Sequence, residues 1–146
     1  MTKTERSFAE LLDYLFREIH PPARGPYTYA EVAHGIGETS GITVSASAIQ
    51  QLRTGTNTNP KLQTIRALAG FFGVNPGYFF DEEEAERQRA EIQVVAAMRD
   101  QGVRRVALRA SGLSAESLSI VDTVIRQARR LEGMPEDPGA ADLLDG

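Results

Sequence analysis

The stretch from Val44 to Val74 limits the fold of this chain most, because it carries the signals that start, orient and end successive helices. Ser45 suits the position just before a helix, where its hydroxyl oxygen accepts a hydrogen bond from an otherwise unpaired amide. Ile49 and Leu52 follow at helical spacing and predict a buried face. Gly55 suits the left-handed residue that ends such a helix.

A second helix is predicted from about Lys61 to Phe72, and Pro60 is expected to preset its first turn. Apolar residues recur along it at helical spacing and predict a core-facing stripe. The stripe contains Leu62, Ile65, Leu68, Ala69 and Phe72. The pairs Asn75-Pro76 and Phe79-Phe80 indicate one more short helix that closes the core.

Two further helices are predicted before Val44. The first runs from about Ser7 to Ile19, and Pro21-Pro22 ends it. The second starts at Thr28, which forms a capping box with Glu31 three residues later. The core-facing residues of the two helices are Phe8, Leu11, Leu12, Leu15, Phe16 and Ile19, followed by Val32, Ala33 and Ile36.

The helix after Ser45 directs mostly polar positions away from its apolar face, namely Ala46, Ser47, Gln50, Gln51 and Thr54. Such side chains suit a helix in the DNA major groove, where Gln pairs with adenine through two hydrogen bonds and Ser can contact any base. The polar loop from Thr56 to Asn59 is suited to phosphate contacts, as are the free amides at the helix start of Thr28. The pattern therefore predicts a DNA-binding head.

This pattern resembles the lambda/434-repressor class of helix-turn-helix proteins, also called the Cro/C1 or XRE-like class. Over residues 7–133 the chain is also similar to the EspR-like nucleoid-associated regulators of actinobacteria. The residues that carry this second resemblance are His20-Pro21-Pro22-Ala23-Arg24-Gly25-Pro26, Ala30-Glu31-Val32, Gln51-Leu52-Arg53-Thr54-Gly55, Thr58-Asn59-Pro60 and Met98-Arg99-Asp100-Gln101-Gly102-Val103-Arg104-Arg105.

The resemblance implies an all-α fold with a five-helix DNA-binding domain, and it implies roles for particular residues. Base-reading positions fall on Ala46, Ser47 and Gln51, with Ser45 and Gln50 close to the same groove. Phosphate-contacting positions fall on Thr54, Thr56, Asn57, Asn59 and Lys61, and the start of the helix at Thr28 joins them. Arg53 stands where the class often has a glutamate, so a phosphate contact and a structural ion pair both remain open.

The segment from His34 to Thr43 departs from the repressor class, because a tight turn of about three residues is expected there. We expect the preceding helix to continue for about one more turn, as the EspR-like resemblance implies. Thr43 then takes the usual position of the turn glycine. His34 is interpreted as a surface residue, since no metal-ligand spacing joins it to His20, and neither a metal nor a cofactor is expected.

Charge is distributed unevenly along the 146 residues, whose net charge is −4. Residues 1–80 hold seven Lys and Arg against six Asp and Glu, a net charge of +1, whereas residues 81–146 hold nine against fourteen, a net charge of −5. A nearly neutral head implies few phosphate contacts, so tight DNA binding would require more than one head. The chain has no cysteine and no apolar run of membrane-spanning or signal-peptide length, so a cytoplasmic protein is expected.

Residues 81–132 are predicted to form a second helical module, followed by a flexible acidic tail at residues 133–146. The acidic run Asp81 to Glu84 suits a helix start. Gly102 is expected to break this helix, a short helix ends near Gly112, and Ser114 caps the last one. The resemblance favours dimerisation through apolar stripes, with packing onto residues 1–80 as the alternative. The predicted dimerisation residues are Ile92, Val95, Leu118, Val121, Val124, Ile125, Ala128 and Leu131.

The sequence thus predicts a DNA-binding transcriptional regulator that acts on double-stranded DNA as a homodimer or in higher assemblies, and that bridges or loops distant sites. The main alternative is an antitoxin-like protein whose acidic C-terminal part binds a basic partner and whose DNA-binding head regulates its own gene. An enzyme is disfavoured, because no phosphate-binding glycine loop, metal-ligand cluster or nucleophile triad is apparent. The arginines of the second module either solvate helix faces or make a second contact with DNA or a nucleotide.

Overall fold

The computed structural model describes residues 6–136, and these residues form α-helices and one 3₁₀ helix without a strand. The predicted all-α class is therefore confirmed. The helices are α1 (Phe8–Glu18), α2 (Tyr29–Ser40), α3 (Ala46–Thr54), α4 (Leu62–Phe72), the 3₁₀ helix (Pro76–Phe79), α5 (Glu82–Ala97), α6 (Gln101–Ala110) and α7 (Ala115–Leu131). Within residues 6–136, every helix is too short or too polar to traverse a lipid bilayer.

The chain divides into two compact units between Ile92 and Gln93. We call residues 6–92 the N-terminal unit and residues 93–136 the C-terminal unit. The expected boundary after residue 80 lies inside the N-terminal unit, because the first residues of α5 belong to its core. Ala85 is buried there, and so is Ile92. Ile92 was expected on a dimerisation face, but its burial within its own chain needs no second copy.

Local capping signals start α2, α3 and α7 where the sequence predicts. The Ser45 hydroxyl accepts a hydrogen bond from the amide of Ala48 at 3.0 Å, and Ser114 caps α7 in the same way. Thr28 and Glu31 form the predicted capping box. Gly55 ends α3 with a φ of 85°, as expected of a left-handed cap.

The core of the N-terminal unit is formed by the apolar faces of α1 to α4, the 3₁₀ helix and the start of α5. Phe16 is its aromatic centre, with its ring edge-on to Tyr29 at 5.4 Å and to Phe72 at 5.1 Å. The predicted stripes are largely confirmed. The buried residues are Leu11, Leu12, Tyr14, Leu15, Phe16, Val32, Ile36, Ile49, Leu52, Ile65, Ala67, Leu68, Ala69, Phe72, Val74, Tyr78, Ala85 and Ile92.

Two buried tyrosines were not predicted from the sequence. The Tyr78 hydroxyl donates to the Leu11 carbonyl at 2.6 Å, and the Tyr14 hydroxyl donates to the Arg89 carbonyl at 3.4 Å. Burial raises the pKa of Tyr78 above its ordinary range, so its hydroxyl stays protonated as a donor. Both hydrogen bonds join residues far apart in the chain, and each tyrosine therefore ties α1 to a later element of the same unit.

The connection between α2 and α3 has the predicted lengthening, because α2 continues to Ser40. Its left-handed residue is Gly41, with a φ of 71°, and not Thr43, which was expected in the place of the turn glycine. A β-branched residue is strained at positive φ, whereas glycine is not. The turn therefore comes two residues earlier than predicted.

Three local predictions were wrong. Helix α4 begins at Leu62 with Lys61 as its N-cap, so Pro60 lies before the cap and not in the first turn. Leu62, as the first residue of the helix, is 52% exposed and lies outside the core stripe. Gly102 does not break a helix. It lies in the first turn of α6, where Asp100 caps the amide of Val103, and the chain already leaves α5 after Ala97.

Candidate nucleic-acid interface

Helix α3 presents its polar side chains to solvent because its apolar side chains anchor it in the core. Ile49 and Leu52 are buried, and they fix the helix on one side. Of the remaining positions, Ala46, Ala48 and Arg53 are half-buried, and the polar residues Ser47, Gln50, Gln51 and Thr54 are exposed. The exposed predicted base-reading residues are Ser45, Ser47, Gln50 and Gln51. The structure therefore brings these predicted residues together on one accessible surface.

The residues that follow α3 form a compact polar loop. The Thr54 hydroxyl donates to the Gln50 carbonyl at 2.9 Å and lies 3.1 Å from the Thr56 hydroxyl. The Asn57 side-chain oxygen accepts from the amide of Asn59 at 2.9 Å, which leaves the Asn57 side-chain NH₂ group as a donor. These hydrogen bonds hold the predicted phosphate-contacting loop in one shape beside the end of α3.

A shallow groove of about 560 Å³ is lined by residues at the end of α2 and the start of α4, and the sequence did not predict it. Its charged lining residues are Lys61, at the N-cap of α4, and Arg66, one turn further along. Both side chains are exposed, and neither forms an ion pair with any residue of the described segment 6–136. The exposed Lys61 remains available for the phosphate contact predicted for it.

The Arg53 side chain extends from α3 toward the core of the N-terminal unit. Its Nε donates to Asp13 Oδ1 at 2.9 Å, and its guanidinium group lies 4.6 Å from the centre of the Phe16 ring. A longer hydrogen bond of 3.5 Å joins it to the Tyr29 hydroxyl. The side chain is only 22% exposed. Of the two open roles, the structural ion pair is present, and a phosphate contact by Arg53 stays a prediction.

The start of α2 is electrostatically fixed by a bidentate ion pair. Arg24 binds both carboxylate oxygens of Glu31 at 2.6 and 2.7 Å. This hydrogen-bonding, together with the backbone amide of Thr28, lowers the pKa of Glu31 to about 2, so the carboxylate stays ionised near neutral pH. Thr28 uses its amide and its hydroxyl oxygen within the capping box. Binding of a phosphate at this helix start stays a prediction. The phosphate would have to accept hydrogen bonds from the free backbone amides that follow Thr28.

Comparison with known proteins identifies the family of this chain. The nucleoid-associated protein EspR of Mycobacterium tuberculosis, in strains CDC 1551 and H37Rv, is 44% identical to it over 128 residues. The alignment covers 88% of this chain and 96% of the relative. The chain belongs to the EspR family. It matches no protein-family model.

The C-terminal unit of this EspR-family chain exposes the apolar residues predicted to dimerise. Val95 at the end of α5 is exposed, and so are five of the six predicted residues of α7, while Val121 is half-buried. Leu131 is the most accessible, at 89%. Neither α6 nor α7 contains a buried residue. The exposed predicted residues of α7 are Leu118, Val124, Ile125, Ala128 and Leu131.

Proposed function

We propose that this EspR-family chain is a sequence-directed DNA-binding regulator in which α2 and α3 form a helix-turn-helix of the lambda-repressor class. The exposed polar face of α3 carries the proposal, because buried Ile49 and Leu52 orient that face outward. The name of the relative, a nucleoid-associated protein, supports the same function. The protein acts by binding and not by catalysis, and it works on the cytoplasmic nucleoid.

Base recognition is assigned to α3 in the major groove. Gln50 and Gln51 carry amide groups that can donate to and accept from adenine, and Ser47 offers a hydroxyl that suits several bases. A well-placed amide pair discriminates against a wrong base by about 1–3 kcal/mol. Ala46 lacks a polar group, so the sequence preference of each head is modest. Phosphate contacts come from the loop after α3, which is already held in shape, and from Lys61.

Dimerisation is assigned to the apolar faces of the C-terminal unit. Residues 1–80 carry a net charge of only +1, which limits the phosphate contacts that one head can make. Linking two heads raises the effective concentration of the second on the same DNA and can strengthen binding by about 10²–10⁴-fold. A dimer that holds two heads also allows distant DNA sites to be bridged or looped.

Genome-wide occupancy tests this proposal. We compare the wild type with a Ser47→Ala/Gln51→Ala variant expressed at equal level in the same cells. A Ser119→Ala/Gln101→Ala variant removes the same two functional groups from exposed positions of the C-terminal unit and serves as the control. Discrete peaks that persist in the control and disappear in the α3 variant are expected. Peaks unchanged by the α3 substitutions, or no peaks for the wild type, would contradict the proposal and favour a role in binding a protein partner.

A further inference from the structure

Helix α6 is the most basic of the described helices. Residues 101–115 contain three arginines and no acidic residue, although the whole chain has a net charge of −4. The arginines, Arg104, Arg105 and Arg109, all lie within α6. Among the described helices, α6 has the largest excess of basic over acidic residues, and such an excess suits an anionic partner.

Within residues 6–136, Arg105 and Arg109 have no ion-pair or hydrogen-bond partner for their side chains. Other arginines of the C-terminal unit are engaged, since Arg126 binds Asp122 at 2.7 Å and Arg130 binds Glu136. Arg104 donates to the Met98 carbonyl at 2.8 Å. Arg105 and Arg109 are exposed and one helical turn apart. Two like charges at this spacing repel each other, so they do not stabilise the helix itself.

Apart from Leu108, the apolar residues of α6 lie away from this arginine pair. Val103, Val106, Ala107 and Ala110 are grouped on one face by the 100° turn per residue of an α-helix, and Arg105 and Arg109 fall on the other. A second copy that covers the apolar face leaves both guanidinium groups in solvent. Dimerisation through the apolar face would therefore leave Arg105 and Arg109 accessible to another partner.

We propose that Arg105 and Arg109 bind the phosphate backbone of double-stranded DNA and give each subunit a second, sequence-independent DNA contact. This inference rests on the proposed DNA-binding function. Charge complementarity supports this proposal, because the planar guanidinium group matches the geometry of a phosphate. Residues 1–80 contribute a net charge of only +1 to DNA binding, so further cations would strengthen it. Side chains one turn apart are about 5–6 Å apart at their Cβ atoms, so both guanidinium groups reach neighbouring phosphates.

Salt dependence of DNA binding by the full chain tests the proposal. We compare the wild type with Arg105→Gln/Arg109→Gln by fluorescence anisotropy between about 50 and 300 mM NaCl. Two duplexes of equal length are used, one taken from an occupancy peak and one of random sequence. The logarithm of the binding constant falls linearly with the logarithm of the salt concentration, and each lost phosphate contact makes this line less steep by about 0.9. The two substitutions are therefore expected to make it less steep by about 1.8 per subunit. Affinity for both duplexes should fall by a similar factor, at least about tenfold at 100 mM salt.

Arg126→Gln/Arg130→Gln is the matched control, because it removes the same net charge from arginines that already bind carboxylates. It is expected to keep the wild-type slope. Sedimentation experiments then check whether both variants keep the oligomeric state of the wild type. An Arg105→Lys/Arg109→Lys variant should retain most of the slope, since lysine keeps the charge.

Three results would overturn the inference. An unchanged slope in Arg105→Gln/Arg109→Gln, with binding still lost in the α3 variant, would reject the α6 contact and leave the proposed function standing. Absence of DNA binding by the wild type would reject both. Unchanged DNA binding, together with lost binding to vesicles containing an anionic phospholipid, would assign the arginine pair to a membrane surface instead.

Discussion

The two units of this chain contain similar amphipathic helices but differ in what covers the apolar faces. In the N-terminal unit the faces of α1 to α4 meet in one core around Phe16. In the C-terminal unit, no described residue between Gln93 and Glu136 is buried. Capping and helical spacing are local properties, and both units have them. Burial depends on a second surface, and only the N-terminal unit provides that surface from its own helices.

This difference indicates that the exposed apolar face of α7 is an interaction surface. Helices with wide apolar stripes gain most of their stability from packing and little from intrinsic propensity. Large apolar side chains exposed together on one helix face are often part of an interaction site. We therefore expect the C-terminal unit to depend on a second copy for stability, and the N-terminal unit to fold without one.

The largest effect is expected from placing charge on the α7 stripe. A Val121→Asp/Ile125→Asp variant puts two carboxylates where the proposed dimer would bury them, and burial of unpaired charge is costly. We expect a monomer in sedimentation experiments and DNA affinity reduced by about 100-fold or more, because avidity is lost. A Ser119→Asp/Thr123→Asp variant adds the same charges on the opposite side of α7 and should remain dimeric. Full-strength DNA binding by a proven monomer would refute the coupling.

An intermediate effect is expected from truncating leucines in the two units. Leu15 is fully buried, so Leu15→Ala should lower the free energy of unfolding by about 2–5 kcal/mol at every protein concentration. Leu118→Ala should destabilise the protein by an amount that depends on concentration, because its proposed contacts lie in a second copy. Chemical unfolding at two concentrations about 100-fold apart measures both. A concentration-independent loss in Leu118→Ala would contradict dimerisation through α7.

The smallest effect concerns two glycines of α2. A Cβ atom at Gly35 would lie 2.4 Å from Phe71 Cε2, and the Phe71 ring is itself packed edge-on against Tyr27 and Phe72. Gly35→Ala should therefore destabilise the N-terminal unit by about 1–3 kcal/mol through overpacking. Gly37 has no heavy atom near the same position, so Gly37→Ala should stabilise the helix by about 0.5–1 kcal/mol. Thermal unfolding distinguishes the two, and equal effects would show that α2 and α4 do not pack closely at Gly35.

The features that could be predicted from the sequence are those with a local cause. Ser45 caps α3 because its own hydroxyl meets an amide three residues later, and Gly55 ends that helix because it lacks a Cβ atom. The polar face of α3 followed from the spacing of Ile49 and Leu52. Each of these signals lies within a few residues of the structure it determines.

The missed features that matter most for the core and the candidate interface depend on contacts between distant parts of the chain. The burial of Tyr78 requires the carbonyl of Leu11, and the burial of Ile92 requires a core that accepts the first half of α5. Asp13 is the clearest case at the candidate interface. Its spacing from Arg17 is visible in the sequence, whereas its ion pair with Arg53 spans 40 positions and appears only in the fold.

The Arg53 side chain has a thermodynamic consequence for ligand binding. It connects the end of α3 to α1 through Asp13 and to α2 through Tyr29, so the orientation of α3 is set before any ligand arrives. In the proposed complex with DNA, association would then lose little backbone entropy, and the ordering cost would fall on the side chains of Gln50 and Gln51. Preorganisation of this kind favours docking of an already folded helix over folding on contact.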